Sequence, residues 1–520
     1  MTDVQTELFE LLKIFDGICK KHDIEYFLTG GSALGAIRHN GIIPWDDDID
    51  MGMIRSMWNK LRPVVEENLP DGVELVCSDK YPTYHNPVVR IVNTNSARIT
   101  RAALADGCPK GQFLEIFIHD PVPKEKASEH KKLFATYCEL NTPYLAMLQQ
   151  RFRWLHGLKD DEVEIIDDYF RIKESCDASE LRTLIADMER NLSKYDRNES
   201  DYYLLGWGAV GRCYPIEHFE GIKHVRFEDI EVPVPVRACR NLRIDYRNEW
   251  KDYPEESEQT AHHMTAGVKG VSGYEYMKLI NEEIDPDETN AMRLAVKELN
   301  LVGLKDRVSM NKQMLGIRMR LAQDIDRRSA DIADLYKAGK YEEIIDRFSA
   351  YIDLKRKMLN YTIKEDIRPE TKELIASALV MTGRLTEAEN VMDAERTLNP
   401  GPDNSDFVND LLNLAISVPD YYDGFCSEAR EELESVRDEW HSSIAWRKMN
   451  AMLDIDEGNA SKDAYKLFED YPEDAETAKL AADAMMLDGR RSEAETIYRQ
   501  VLENGKNGMD ILDIKKRLEA

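Results

Sequence analysis

TGGSALGAIRHNGIIPWDDDIDMGM, Thr29 to Met53, sets two glycines and a serine ahead of four aspartates, Asp46, Asp47, Asp48 and Asp50. Ile24 to Leu28, just before it, is short and rich in aromatic and branched residues, which predicts a strand. Ala33 to Arg38 fits the first turns of a helix. Asn40-Gly41 signals a turn, Pro44 blocks helix, and Ile49 to Ile54 reads as a second strand. On a strand, alternate side chains share a face, so Asp48 and Asp50 would point the same way with α-carbons roughly 6.5–7 Å apart. Ile49 and Met51 would then face the core. Carboxylates so placed repel unless a hard cation joins them, and magnesium takes oxygen ligands while keeping room for phosphate. Gly30-Gly31-Ser32 lies between strand and helix. There, backbone N–H groups can approach an anion and the helix N-terminus adds partial positive charge. A phosphate cradle beside a metal site suits phosphoryl or nucleotidyl transfer.

The rest of the composition fits such an enzyme. The 520 residues exceed what one core usually serves, and 42% are apolar, enough for two or three packed domains. The formal charge of −29 disfavours broad binding to nucleic acid or anionic lipid, without excluding a local basic pocket. Eight cysteines include no C-x-x-C pair, which fits a reducing compartment and argues against a zinc knuckle. The N-terminal 26 residues form an amphipathic helix pattern rather than a signal peptide, and no window has the run of about 18 apolar residues that a membrane span needs. The expectation is a soluble cytoplasmic protein, with peripheral contact to the inner membrane face left open.

Further along, segments from Gly72 and Pro87 read as strands. Phe113 to His119 (FLEIFIH) reads as a buried strand ended by Asp120-Pro121. Glu115 is the single charge in that apolar run. It is either a third metal acid or the partner of Arg90 or Arg101. Residues 124–200 read as helical, and strand texture returns near Gly206. From about residue 290, strand signals fade. LYKAGKYEEIIDRF from Leu335, LVMTGRLTEAENVM from Leu379 and MMLDGRRSEAETIYRQVLE from Met485 each read as helix, glycine turn, helix. They resemble tetratricopeptide-type repeats, although the spacing departs from the usual period of about 34 residues. A plain helical bundle is the alternative. Stacked hairpins would offer a surface to a protein partner or to a second copy of the chain.

Together, Gly-Gly-Ser, Asp-Ile-Asp and an acid in a later apolar strand resemble the nucleotidyltransferase superfamily with its polymerase-beta-like core. GGSALGAIRHNGIIPWDDDID more specifically resembles the LicD family, which includes bacterial phosphocholine transferases and the fukutin-related proteins. RIVNTNSA from Arg90 and GQFLEIFIHDPVP resemble two further blocks, the second with Glu115 where the family usually has Asp. DYRNEWKDYP with His262-His263 resembles a degenerate closing block. The resemblance implies an α+β nucleotidyltransferase core with helical insertions over residues 1–285, and the recurring helix–glycine–helix phrases predict an all-α helical-hairpin repeat domain over 286–520. It also implies transfer of a substituted phosphate, such as phosphocholine from CDP-choline, onto a free or lipid-linked glycan precursor. Another CDP-alcohol donor, carrying ribitol or glycerol phosphate, is the alternative, as is an inactive scaffold acting through the repeats. On this resemblance Asp48, Asp50 and Glu115 are the catalytic acids and hold magnesium (or manganese), with Asp46 as a candidate further ligand and Asp47 facing away. Gly30, Gly31 and Ser32 would hold the donor phosphates. Arg38 and His39 would either face the same anion or pair with the aspartates, and Arg90 joins the candidate substrate contacts. Trp45 would stack on a base or a choline head, or anchor the turn. An aromatic pocket of Trp45, Tyr81 and Tyr84 would favour choline, and its absence a polyol.

Overall fold

A computed structural model describes residues 1–81, 84, 86–99, 108–130, 132–134, 136, 178–205, 212–261, 266–268, 272, 329–357, 368–392 and 401–519. The chain divides into two units. The first comprises Met1–Val236 and Glu256–Gln313, the second Arg237–Glu255 and Met314–Ala520. The boundary expected at 285/286 lies outside the described residues, as do His262, His263, Arg101 and most of the helical stretch expected between 124 and 200.

The first unit is an α/β assembly. Helix α1 (Asp3–Lys21) opens with a capping box between Thr2 and Gln5 and buries Leu8, Leu12 and Phe15 completely. Each reciprocal cap satisfies two N–H groups that the first turn would otherwise orphan. Strand β1 (Phe27–Leu28) is shorter than the sequence suggested. Helix α2 (Gly30–His39) begins at the glycines themselves rather than at Ala33. Strand β2 (Asp50–Ile54) follows, then helix α3 (Arg55–Leu61). The sheet is completed by β3 (Val73–Val76), β4 (Val89–Asn93), β6 (Gln112–Val122), β7 (Tyr202–Leu205) and β8 (Cys213–Pro215). Its main path runs β1-β2-β6-β4-β3, with β7 joining β6 and β8 joining β7. Strands β2 and β6 are parallel, and Asp50 lies opposite Glu115. Strand β4 runs antiparallel on the other side of β6, with Arg90 opposite Glu115.

Strand β6 runs on through Asp120-Pro121, where the sequence predicted its end. The reason is a late partner: β7 pairs Leu204 with Asp120 and Tyr203 with Pro121. A proline is tolerated where its missing N–H leaves no ladder bond unmade. Two smaller sheets complete the described part, a β9–β10 hairpin (Ile222–Phe227 and Ile230–Pro235) and the pair of β5 (Ala97–Ile99) with β11 (Ala266–Val268).

The second unit is helical throughout its described length. Gly339, Gly383, Gly424, Gly458 and Gly489 each turn one helix into the next, all with positive φ between 69° and 88°. That left-handed conformation is open to glycine at little cost. The turns recur at 44, 41, 34 and 31 residues, so the hairpins share a plan but no fixed period. Small residues at the contacts, such as Ala376, Ala388, Ala415 and Ala429, are fully buried and let the helices approach closely. The closing segment DYRNEWKDYP, assigned above to the transferase half, packs here. The helix Ala238–Tyr246 and the 3-10 turn Arg247–Lys251 belong to this unit. Asp420 takes Arg237 and Arg240, while Glu389 takes Arg243 and Arg247. Among the described residues six cysteines are free thiols, and no helix is long and apolar enough to cross a membrane.

Candidate active site

The aspartates collect where α2 begins and β2 starts. The chain reaches this point because its backbone is held from three sides. From α1, Gln5 Nε2 donates to the carbonyls of Ile43, Pro44 and Asp46 at 3.1, 3.2 and 2.9 Å. From the β9–β10 turn, Glu228 Oε1 accepts from Ile42 N at 2.9 Å. A Cβ at Gly41 would lie 2.2 Å from that same oxygen, so a side chain there would push the Glu228 carboxylate off Ile42 N. From β5, Arg98 Nη2 donates to Asp47 O at 3.2 Å. Gln5, Glu228 and Arg98 escaped the sequence reading. Each acts on a loop far away in the chain, and no local pattern marks them.

Asp48 precedes β2 rather than lying on it, so the pairing with Asp50 is not that of two residues on one strand face. Their charges act on one another all the same. Asp46 is buried and shares a side-chain hydrogen bond with Asp48. Burial first, then the charge of Asp48, pushes the Asp46 carboxyl up to about 8. Asp50 is pushed well above the carboxylate range by burial and by the charges of Asp48, Glu115 and Asp46. Its Oδ1 is withdrawn from solvent and makes no hydrogen bond. Asp47, expected to face away, is buried too, and its charge acts on Arg98. As expected, Ile49 and Met51 are fully buried.

The glycine turn lies against these acids. A Cβ at Gly31 would sit 3.1 Å from Asp46 Oδ2. Thr29 is the N-cap of α2 and provides no side-chain cap, leaving the first-turn N–H groups to other partners. Ser32 is buried, and its Oγ accepts from Asp50 N at 2.8 Å. It therefore holds the start of β2. Arg38 is buried and its Nε donates to His39 Nε2 at 3.1 Å. His39 in turn meets Trp45 edge-on at 5.7 Å, which fits Trp45 as an anchor of its turn.

Glu115 takes the partner that was its alternative reading. Its Oε1 accepts from Arg90 Nε and Nη2 at 2.9 and 2.6 Å. Arg90 and Arg98 both lie over the Phe113 ring, at 3.9 and 4.0 Å. Arg98 is almost wholly buried, and its Nε and Nη1 have no partner. Burial lowers its pKa to about 10, against the pull of Asp47. Tyr84 is buried beside Phe113 and donates to Val88 O at 2.8 Å, with Tyr81 packed on the same cluster.

A divalent cation fits the acid group in one respect. Asp46 and Asp50, both pushed up by burial and by the charge of Asp48, with an orphaned buried oxygen on Asp50, are what such an ion would relieve. Among the described residues, however, no three His, Cys, Asp or Glu side chains already converge as a metal cage.

Residues 23–99 match the family model described as the LicD/FKTN/FKRP nucleotidyltransferase domain. The lipopolysaccharide cholinephosphotransferase LicD of Haemophilus influenzae is 25% identical over 273 residues, which cover 51% of this chain and 96% of that protein. The ribitol 5-phosphate transferase FKRP of Homo sapiens is 46% identical over 46 residues, 9% of either chain. An uncharacterized protein of Rickettsia prowazekii is 45% identical over 47 residues, 9% of this chain and 18% of its own. No solved structure matches the chain. The glycine-led helix and the gathered aspartates thus lie in the stretch, residues 23–99, that matches the LicD/FKTN/FKRP nucleotidyltransferase domain model.

Proposed function

We propose that the chain moves phosphocholine from CDP-choline onto a sugar hydroxyl of a cell-surface glycan precursor, on a nucleotidyltransferase-type core. The observation that carries this reading is the similarity to a cholinephosphotransferase along 96% of that protein's length. Within that similarity, three acids gather beside a glycine-led helix start.

Asp48 and Asp50 would hold magnesium (or manganese), with Asp46 and the Glu115 oxygen not engaged by Arg90 as further ligands. When bound, the cation neutralises charge that builds on the phosphate oxygens. The chain's own residues do the rest. The first-turn N–H groups at Gly30 and Gly31 donate to the phosphate oxygens of the CDP-alcohol. Arg98 offers two N–H groups that no protein atom uses, the right chemistry for a phosphate oxygen. The acceptor hydroxyl loses its proton to a carboxylate, for which Glu115 is the candidate. Its oxygen then bonds to phosphorus, and CMP leaves with the former bridging oxygen. Gln5 and Glu228 fix the loop on which the acids stand.

A second reading keeps the chemistry and changes the donor to CDP-ribitol or CDP-glycerol. It is favoured by Tyr84, whose burial in the core removes it from any choline-binding aromatic pocket. The local similarity to a ribitol 5-phosphate transferase points the same way. The helical unit would serve a protein partner or self-association.

The test is CMP release by purified protein from CDP-choline, CDP-ribitol and CDP-glycerol, with and without magnesium, over a panel of sugar and lipid-linked acceptors. Magnesium-dependent release from CDP-choline supports the first reading. Release from a polyol donor alone replaces it with the second. Silence with all three donors, from folded protein, overturns both and leaves a scaffold.

A further inference from the structure

The helical unit contains a cavity of about 230 Å³ whose lining shares no residue with the candidate active site. Its walls come from the segment Asn248–Asp252 and from helices between Gly383 and Asp510. One part of the lining is apolar, with Tyr421, Met449 and Met452. The remainder is densely charged.

The lysines of this wall are already engaged. Lys251 pairs with Glu476 and with Asp252. Lys448 reaches Asp474 and Glu476, each at 2.8 Å. Lys479 reaches Asp483 at 2.7 Å and Asp513 at 3.0 Å. The acids are not matched in return. Among the lining residues, with Arg384 counted beside the three lysines, four cations face six carboxylates. Asp510 is the least satisfied of them. It is buried and lies 3.9 Å from Lys479 Nζ, an ion pair without a hydrogen bond. Burial pushes its carboxyl up to about 7.

A second, independent observation comes from Asn248. This residue is 5% exposed and lines the same cavity. Its Nδ2 is fixed by Ala415 O at 2.8 Å, while its Oδ1 is buried with no donor. A buried acceptor without a partner costs free energy that a ligand N–H would recover. An anion would meet surplus carboxylate. A bare metal ion would meet Tyr and Met faces, and no three candidate ligands converge here.

We propose that this cavity binds a small organic cation that carries N–H donors, a primary amine or amino alcohol. Its ammonium would face Asp510, one N–H would reach Asn248 Oδ1, and its carbon chain would lie on Tyr421, Met449 and Met452. The site would give the helical unit a sensing role separate from transfer.

The test is calorimetric titration of the full chain with ethanolamine, a short diamine and tetramethylammonium at matched ionic strength. Two variants keep it decisive: Asp510→Asn removes the charge, and Met452→Trp fills the cavity, each first checked for folding by thermal melt. We expect the primary amines to bind at least about tenfold more tightly than tetramethylammonium, and either substitution to weaken them by about tenfold or more. Equal binding of tetramethylammonium, unchanged binding in both variants, or no heat from any amine at millimolar concentration would overturn the proposal. So would binding of a lysine-bearing peptide in the absence of binding by the free amines.

Discussion

Both units bury carboxylates, but the network around Asp420 and Glu389 treats them differently from the cluster around Asp46. In the helical unit, Asp420 takes two arginines and Glu389 takes two more. In the α/β unit, Asp46, Asp48 and Asp50 gather with one another, and the cation that acts on Asp50 is Arg98. A matched buried charge holds architecture together and does damage when its partner is removed. An unmatched one costs folding free energy, and a protein that keeps several in one place is equipped to bind something of opposite charge. The contrast separates a structural ion network from a candidate site without reference to any relative.

The contrast can be broken most sharply in the helical unit. Glu389→Gln would leave Arg243 and Arg247 buried without a counter-charge, and should cost about 3–5 kcal/mol. Chemical denaturation followed by circular dichroism checks it. A loss under 1 kcal/mol would place this network with the indifferent ion pairs.

The mirror experiment is Asp50→Asn. It should lower transfer by about 10²–10³-fold, the usual scale for losing one preorganised electrostatic group. The metal-free protein should nevertheless melt higher, because the cost of desolvating the Asp50 carboxyl beside Asp48 and Glu115 is gone. If Asp50→Asn instead lowered the melting temperature as Glu389→Gln should, the acid cluster would be as structural as the Glu389 network.

His119 gives a pH test confined to the α/β unit. It is fully buried among Phe27, Tyr214 and Phe219, and burial lowers its pKa to about 4. The unfolded chain then binds more protons than the folded one between about 6.5 and 4. Stability is therefore present above pH 6.5 and is lost as pH falls through 4, by about 3 kcal/mol from this group. Urea midpoints at pH 7 and pH 4.5 should converge in His119→Phe relative to the native chain.

The smallest effect is expected at Gln5. Gln5→Ala would orphan three loop carbonyls and should cost about 1–3 kcal/mol. Because the loop carries Asp46, transfer should fall more than stability alone explains, and the ratio of the two losses is the measurement.

Much of the site was legible because its parts are neighbours in sequence. Thr29 to Met53 holds the turn, the helix start and the aspartates, and Ile49 and Met51 are core residues as alternation required. Illegible were the contacts that come from afar. Gln5, Arg98 and Glu228 belong to other elements, and neither composition nor periodicity distinguishes them from surface residues. Asp48 was assigned to a strand because alternation cannot show where pairing begins. The end of β6 was misplaced for a similar reason, since its partner Leu204 lies some eighty residues on. The arginines at 237, 240, 243 and 247 were legible as a helical stripe only once Glu389 and Asp420 were seen opposite them.

The most direct test of the central claim is a pair of thermal melts with and without magnesium, on the native chain and on Asp50→Asn. The account predicts that magnesium raises the melting temperature of the native chain and leaves the variant unmoved. An equal magnesium shift in both proteins, or none in either, would contradict it.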